Sequence, residues 1–177
     1  MLLKRPTIVC GAAVAALTMS ITPGAAATGG HMWNESPSVS ECLDTSFNPG
    51  LSAYTAVMWT CGSPTQQWQI AGTMHVTSAP KYTGYYIRNG TQCLDGYSRG
   101  ASVIAYTCNP NDPNQVWLPV YAKTDGGYTY DEFQNQKTGE CLSVAGGSTA
   151  NGADVITWTC QKTPDQVWGG PAVPNNL

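Results

Sequence analysis

Charge is scarce in this chain: 11% of its 177 residues are charged, and only eight are Lys or Arg. Nucleic acid and anionic membranes are held chiefly through clustered Lys and Arg, so neither is an expected partner. No apolar run approaches the roughly twenty residues that a membrane-spanning helix requires. Helical apolar spacing is absent over any stretch of eleven residues, while 19 Gly and 12 Pro interrupt the chain throughout; together these exclude an α-helical fold and leave an all-β one. No two cysteines stand in a close C-x₂₋₄-C pair, so a structural zinc site is not expected. The two histidines, His31 and His75, have no Ser or Cys partner for nucleophilic catalysis once the cysteines are bridged.

What is present begins with an export signal. Lys4 and Arg5 precede an apolar stretch from Ile8 to Leu17, followed by small residues at Ala25 and Ala27, with cleavage expected after Ala27. The stretch is too short to span a bilayer, so the mature protein is expected outside the cell, with no membrane insertion. Removing the signal leaves six basic residues against eleven acidic ones, a formal charge of −5. Residues 28–36 are Gly-rich and aperiodic and read as a disordered leader, with Trp33 on the surface.

The remainder is repetitive. Cys42-Leu43-Asp44, Trp59-Thr60-Cys61 and Gln66-Gln67-Trp68 recur as Cys93-Leu94-Asp95, Tyr106-Thr107-Cys108 and Gln115-Val116-Trp117. They recur again as Cys141-Leu142-Ser143, Trp158-Thr159-Cys160 and Gln166-Val167-Trp168. The three closing tryptophans are 49 and 51 residues apart, so one structural unit is used three times. The units span about 37–79, 80–126 and 127–170, with 171–177 as a tail. Four short β-like segments per unit predict about twelve strands. Three units are too few for a propeller, and an open stack would expose both ends, so they are expected to close around a pseudo-threefold axis. Trp68, Trp117 and Trp168 would meet at its centre.

Cys10 leaves with the signal. Six cysteines allow 15 pairings, but two per unit in an exported chain favour Cys42–Cys61, Cys93–Cys108 and Cys141–Cys160, each closing a short loop worth about 3 kcal/mol in the chain-entropy model.

If paired cysteines lie directly opposite on antiparallel strands, Asp95 opposes Tyr106, Asp44 opposes Trp59 and Ser143 opposes Trp158, on one face. A carboxylate beside a flat ring suits a neutral sugar: the ring covers the apolar C–H face, and the carboxylate accepts hydrogen bonds from neighbouring hydroxyls. Asn114 would add a donor and an acceptor.

These motifs, spread over some 130 residues, resemble the ricin B-chain lectin family, grouped also with the family 13 carbohydrate-binding modules. The resemblance implies a β-trefoil that binds galactose-, xylose- or related sugars at up to three sites. It carries the binding role to Asp95, Tyr106, Asn114 and Gln115 in the second unit and to Asp44, Trp59 and Gln66 in the first, where Thr65 replaces the usual Asn. In the third unit Trp158 and Gln166 match. There Ser143 replaces the Asp and Asp165 the Asn, which predicts a weak or degenerate site.

The expected function is therefore a secreted, non-catalytic glycan-binding protein without metal or cofactor. Glycoside hydrolysis usually needs two facing carboxylates, whereas the recurring acids come one per unit. A β-trefoil protease inhibitor or other protein-binding module is the alternative, acting through loops such as 109–113 or 146–152.

Overall fold

The computed structural model describes residues 29–35, 40–75 and 83–171. The expected export signal with its cleavage point after Ala27, Cys10 and residues 172–177 of the tail lie outside them. The described residues form twelve antiparallel strands: β1 (Trp33–Asn34), β2 (Glu41–Asn48), β3 (Ala53–Thr60), β4 (Gln69–His75), β5 (Thr83–Asn89), β6 (Gln92–Asp95), β7 (Ile104–Thr107), β8 (Trp117–Asp125), β9 (Tyr128–Asn135), β10 (Cys141–Val144), β11 (Ala153–Trp158) and β12 (Trp168–Gly169). Four belong to each unit. The only helical pieces among the described residues are single 3₁₀ turns at 64–66, 113–115, 145–147 and 164–166, and no helix is long and apolar enough to cross a membrane.

The first and fourth strands of the units form a closed barrel in the order β1-β12-β9-β8-β5-β4. Paired amides of Gly30 and Trp68, at 2.8 and 2.9 Å, seal the seam between the first strand and the fourth. The second and third strands form three hairpins, β2–β3, β6–β7 and β10–β11, which cap one end. They pair with one another through β11–β3, β3–β7 and a bridge from Ser102 to Ile156. This is a β-trefoil.

The core lies where barrel and cap meet. Trp68, Trp117 and Trp168 are 0%, 0% and 1% exposed. A buried indole N–H must find an acceptor. Each finds the carbonyl of the leucine that follows the first cysteine of its own unit: Leu43 at 2.7 Å, Leu94 at 2.9 Å and Leu142 at 2.9 Å. The three leucine side chains are themselves fully buried among Met32, Ile87 and Phe133. The three disulfides pair within units, with Cα atoms about 5 Å apart in each: Cys42–Cys61, Cys93–Cys108 and Cys141–Cys160.

The stretch expected as a disordered leader is instead the first strand of the first unit. Met32 is 1% exposed and Asn34 is fully buried. Asn34 Nδ2 donates to the carbonyls of Asp165 at 3.0 Å and Val167 at 3.2 Å. Asn89 holds the carbonyl of Thr65 in the same way, and Asn135 that of Asn114 at 2.6 Å. The first unit therefore begins by Gly30, not near 37. Trp33 packs edge-on against Tyr128 at 5.7 Å and over Gly169 rather than standing alone on the surface.

Candidate functional site

Each hairpin carries its site residues on the outer face of the cap, but the register differs from that expected. Cys93 pairs with Tyr106 and Asp95 with Ile104; Cys42 pairs with Trp59 and Asp44 with Val57; Cys141 pairs with Trp158 and Ser143 with Ile156. The second cysteines lie just beyond the strand ends, so the disulfide closes across the mouth of the hairpin rather than across a strand pair. A shift of two residues preserves the alternation of faces. Asp44 with Trp59, Asp95 with Tyr106 and Ser143 with Trp158 thus share one face as diagonal neighbours, not as direct opposites.

In the first unit Asp44 is 8% exposed, and its Oδ1 accepts from Thr45 N at 2.8 Å and Thr65 Oγ1 at 3.0 Å. Thr65, at the position where the family has Asn, thereby orients the acid. In the second unit Asp95 is 6% exposed and its Oδ2 accepts from Gln115 Nε2 at 3.3 Å. Burial pushes the Asp95 carboxyl above its usual range; the Gln115 hydrogen bond opposes the shift, and the nearby charge of Asp112 adds to it. Asn114, half-buried beside it, fixes the turn through its backbone: its carbonyl accepts from Gly96 N and Asn135 Nδ2. The rings stand out, with Trp59 45% and Tyr106 59% exposed.

The third unit is not short of a carboxylate. Ser143 Oγ donates to Asp165 Oδ2 at 2.7 Å, so the acid missing from β10 is returned by the 3₁₀ turn at 164–166. Asp165, Ser143, Ile156, Gly146 and Gln161 line a cleft of about 280 Å³ against Trp158. The expectation of a weak or degenerate site took Ser143 and Asp165 as two separate departures and missed that they meet, 22 residues apart in sequence, in one hydrogen bond. Asp44 Oδ2, Asp95 Oδ1 and Asp165 Oδ1 are each without a hydrogen-bond partner among the described residues, yet none is sealed from solvent.

Gln66, Gln115 and Gln166 are placed differently from the other candidate residues. All three are fully buried. Their amide nitrogens donate to the carbonyls of Thr60, Thr107 and Thr159 at 3.1, 3.1 and 2.8 Å. Their oxygens accept from backbone amides of Gly62 and Ser63, of Asn109, and of Gln161. They brace the turn after each disulfide and have little left to offer a ligand; Gln115 alone also steadies an acid of the site.

Two groups bring metal-ligating atoms close together among the described residues: His31 with Cys42 and Cys61, and Glu132 with Cys141 and Cys160. In both, the sulfurs are bonded to each other and supply no thiolate.

The pseudo-threefold trefoil thus sets a carboxylate and an exposed aromatic ring together in each of its three units. The chain belongs to the ricin-type beta-trefoil lectin domain family, whose profile matches residues 30–168, and membership supports a carbohydrate-binding role. No curated protein sequence matches the chain significantly. Among solved structures, it resembles the designed threefold-symmetric protein ThreeFoil at 24% identity and a TM-score of 0.61, covering 81% of this chain and 97% of that one. The C-half of the earthworm R-type lectin in complex with GalNAc is 14% identical with a TM-score of 0.54, over 81% and 98% of the two chains. An exo-beta-1,3-galactanase from Clostridium thermocellum is 22% identical with a TM-score of 0.61 over 81% of this chain, which spans 30% of the enzyme. These likenesses establish the shared fold.

Proposed function

We propose that this protein is a secreted, non-catalytic lectin that binds galactose-, xylose- or related glycans through three shallow sites. The residues of the sites are Asp44 with Trp59, Asp95 with Tyr106 and Asn114, and Asp165 with Ser143 and Trp158. One observation carries the reading: in all three units a carboxylate beside an exposed ring keeps one oxygen bound to the protein and the other open. The bound oxygen fixes the carboxylate in place, and the open one accepts from sugar hydroxyls. The ring covers the apolar face of the sugar. Gln66, Gln115 and Gln166 serve as braces behind the sites.

The acids come one per unit, and hydrolysis of a glycosidic bond usually needs two facing carboxylates; this supports binding without catalysis. Three intramolecular disulfides are compatible with an oxidising compartment outside the cytoplasm, which with the export signal over 1–27 supports secretion. Single shallow sites bind weakly, so useful affinity for a polysaccharide or cell surface would come from engaging several at once.

A glycan array with the mature chain tests the proposal. Signals that free galactose or xylose competes away support it. Inhibition of a protease with no glycan signal would replace it with the protein-binding alternative.

A further inference from the structure

Each site is shared between two units. The cap is closed by three pairings of the same kind, Asp154 with Val57, Thr55 with Ile104 and Ser102 with Ile156. Each joins a residue six before one second cysteine to a residue four before another. Continued by two residues, this register carries the hairpin turn of one unit onto the ring of the next. A Cβ on Gly152 would lie 3.6 Å from Trp59, and one on Gly100 would lie 3.3 Å from Trp158. The same register sets Ala53 beside Tyr106. The residue before each of these differs: Asn151 beside Trp59, Ser52 beside Tyr106 and Arg99 beside Trp158.

Asn151 is spent on the protein, its Oδ1 accepting from Thr60 N at 2.8 Å and Thr60 Oγ1 at 3.1 Å. Arg99 is not. It is exposed, its guanidinium carbon lies 4.7 Å from the centre of the Trp158 ring, and it forms no salt bridge with a described residue. Trp158 also walls the cleft that Asp165 and Ser143 line. The third site thus carries a carboxylate on one wall and a guanidinium on its aromatic platform, a combination the other two lack.

We infer that Arg99, a residue of the second unit, is a specificity-determining residue of the third unit's site, directing it to glycans that bear a carboxylate beside the stacked ring. This rests on the lectin reading above. A guanidinium lying on an aromatic face is weakly hydrated and offers two parallel N–H donors, which match a carboxylate. Asp165 accepts hydrogen bonds from hydroxyls and repels an acid, so an acidic sugar is oriented with its carboxylate toward Arg99.

The test uses the mature chain carrying Asp44→Asn and Asp95→Asn, which silence the other two sites. It is titrated calorimetrically with a xylose- or galactose-based oligosaccharide bearing one uronic acid, and with the neutral counterpart. The acidic ligand is expected to bind roughly three- to tenfold more tightly at low salt, the scale of one charge-assisted contact. Arg99→Gln should bring the two ligands to parity, Arg99→Lys should retain part of the preference, and raised ionic strength should narrow it. Equal affinities before the Arg99 change would overturn this inference and leave the lectin reading standing. So would an Arg99→Gln chain that loses the neutral ligand as well, since Arg99 would then be only a support for Trp158. Absence of any glycan binding in the wild-type chain would remove both.

Discussion

The indole Nε1 of Trp117 donates to the carbonyl oxygen of Leu94 at 2.9 Å, and the next residue is Asp95. A fully buried side chain of the second unit therefore holds the peptide from which its site carboxylate projects. Trp68 with Leu43 repeats the arrangement, and Trp168 with Leu142 holds in the same way the peptide that bears Ser143, the partner of Asp165. Core and site are joined in one direction only, because the exposed ring and the open carboxylate oxygen support nothing behind them.

Substitutions at the two ends of this connection should separate. Trp117→Ala should cost about 3–5 kcal/mol, as deletion of a fully buried aromatic does, a large part of the roughly 5–15 kcal/mol typical of a domain. Asp95→Asn with Tyr106→Ala should abolish second-site binding with the melting temperature almost unchanged, since Gln115 keeps its bond to Thr107. Thermal unfolding and glycan titration check both; equal destabilisation would show that the site residues hold up the fold.

Asn34→Ala should destabilise the protein by about 1–3 kcal/mol, because it removes a fully buried amide that donates to the carbonyl of Asp165 and, beside Glu35 N, to that of Val167. Asn135→Ala, at the equivalent place in the third unit, should cost a similar amount. Urea denaturation measures both. A free N-terminal segment would make the first change silent.

Gly96 follows Asp95 where the hairpin turns over the core. A Cβ there would stand 2.7 Å from the Thr157 methyl group and 2.8 Å from Trp117. Gly96→Ala should therefore cost about 1–3 kcal/mol through overpacking, and it should weaken second-site binding by moving Asp95. Gly126→Ala, at an open turn with φ of 56°, is the control for backbone strain alone.

Asp131 makes stability depend on pH. It pairs with Trp168 on the neighbouring strand β12 and lines a small cavity together with Met32, Ile70 and Phe133. Burial raises its pKa from 3.8 to about 6. The folded chain then holds this proton more tightly than the unfolded chain, so the contribution of Asp131 to stability is present at low pH and declines as pH rises from about 4 to about 6. Asp131→Asn should be more stable than wild type at pH 7 and should flatten the profile over that window. Chemical denaturation at pH 4.5 and 7 decides it; coincident profiles would show the carboxyl to be well solvated.

The repeated cysteines, tryptophans and glutamines made the trefoil, its disulfides and its central indoles legible, because each is a strong constraint recurring at a fixed period. The first strand was hidden by its shortness and its Gly-rich surroundings. Its signal is Met32-Trp33-Asn34 beside Ile87-Arg88-Asn89 and Phe133-Gln134-Asn135, an apolar residue two before an asparagine, too brief to recognise until the three are superposed. The hairpin register was misjudged by two residues because the disulfides were taken to bridge directly opposed positions. That error left the faces unchanged. The carboxylate near Trp158 was illegible for a different reason: Ser143 and Asp165 come from separate segments, and only tertiary packing brings the Asp165 carboxylate to the hydroxyl that stands where the other units have Asp44 and Asp95.

The seam at Gly30 and Trp68, together with the pairing of β1 and β12, sets the beginning and the end of the domain side by side in the same barrel wall. Chain order is then almost arbitrary: a permuted polypeptide that starts at any unit and is spliced across that seam would meet the same partners.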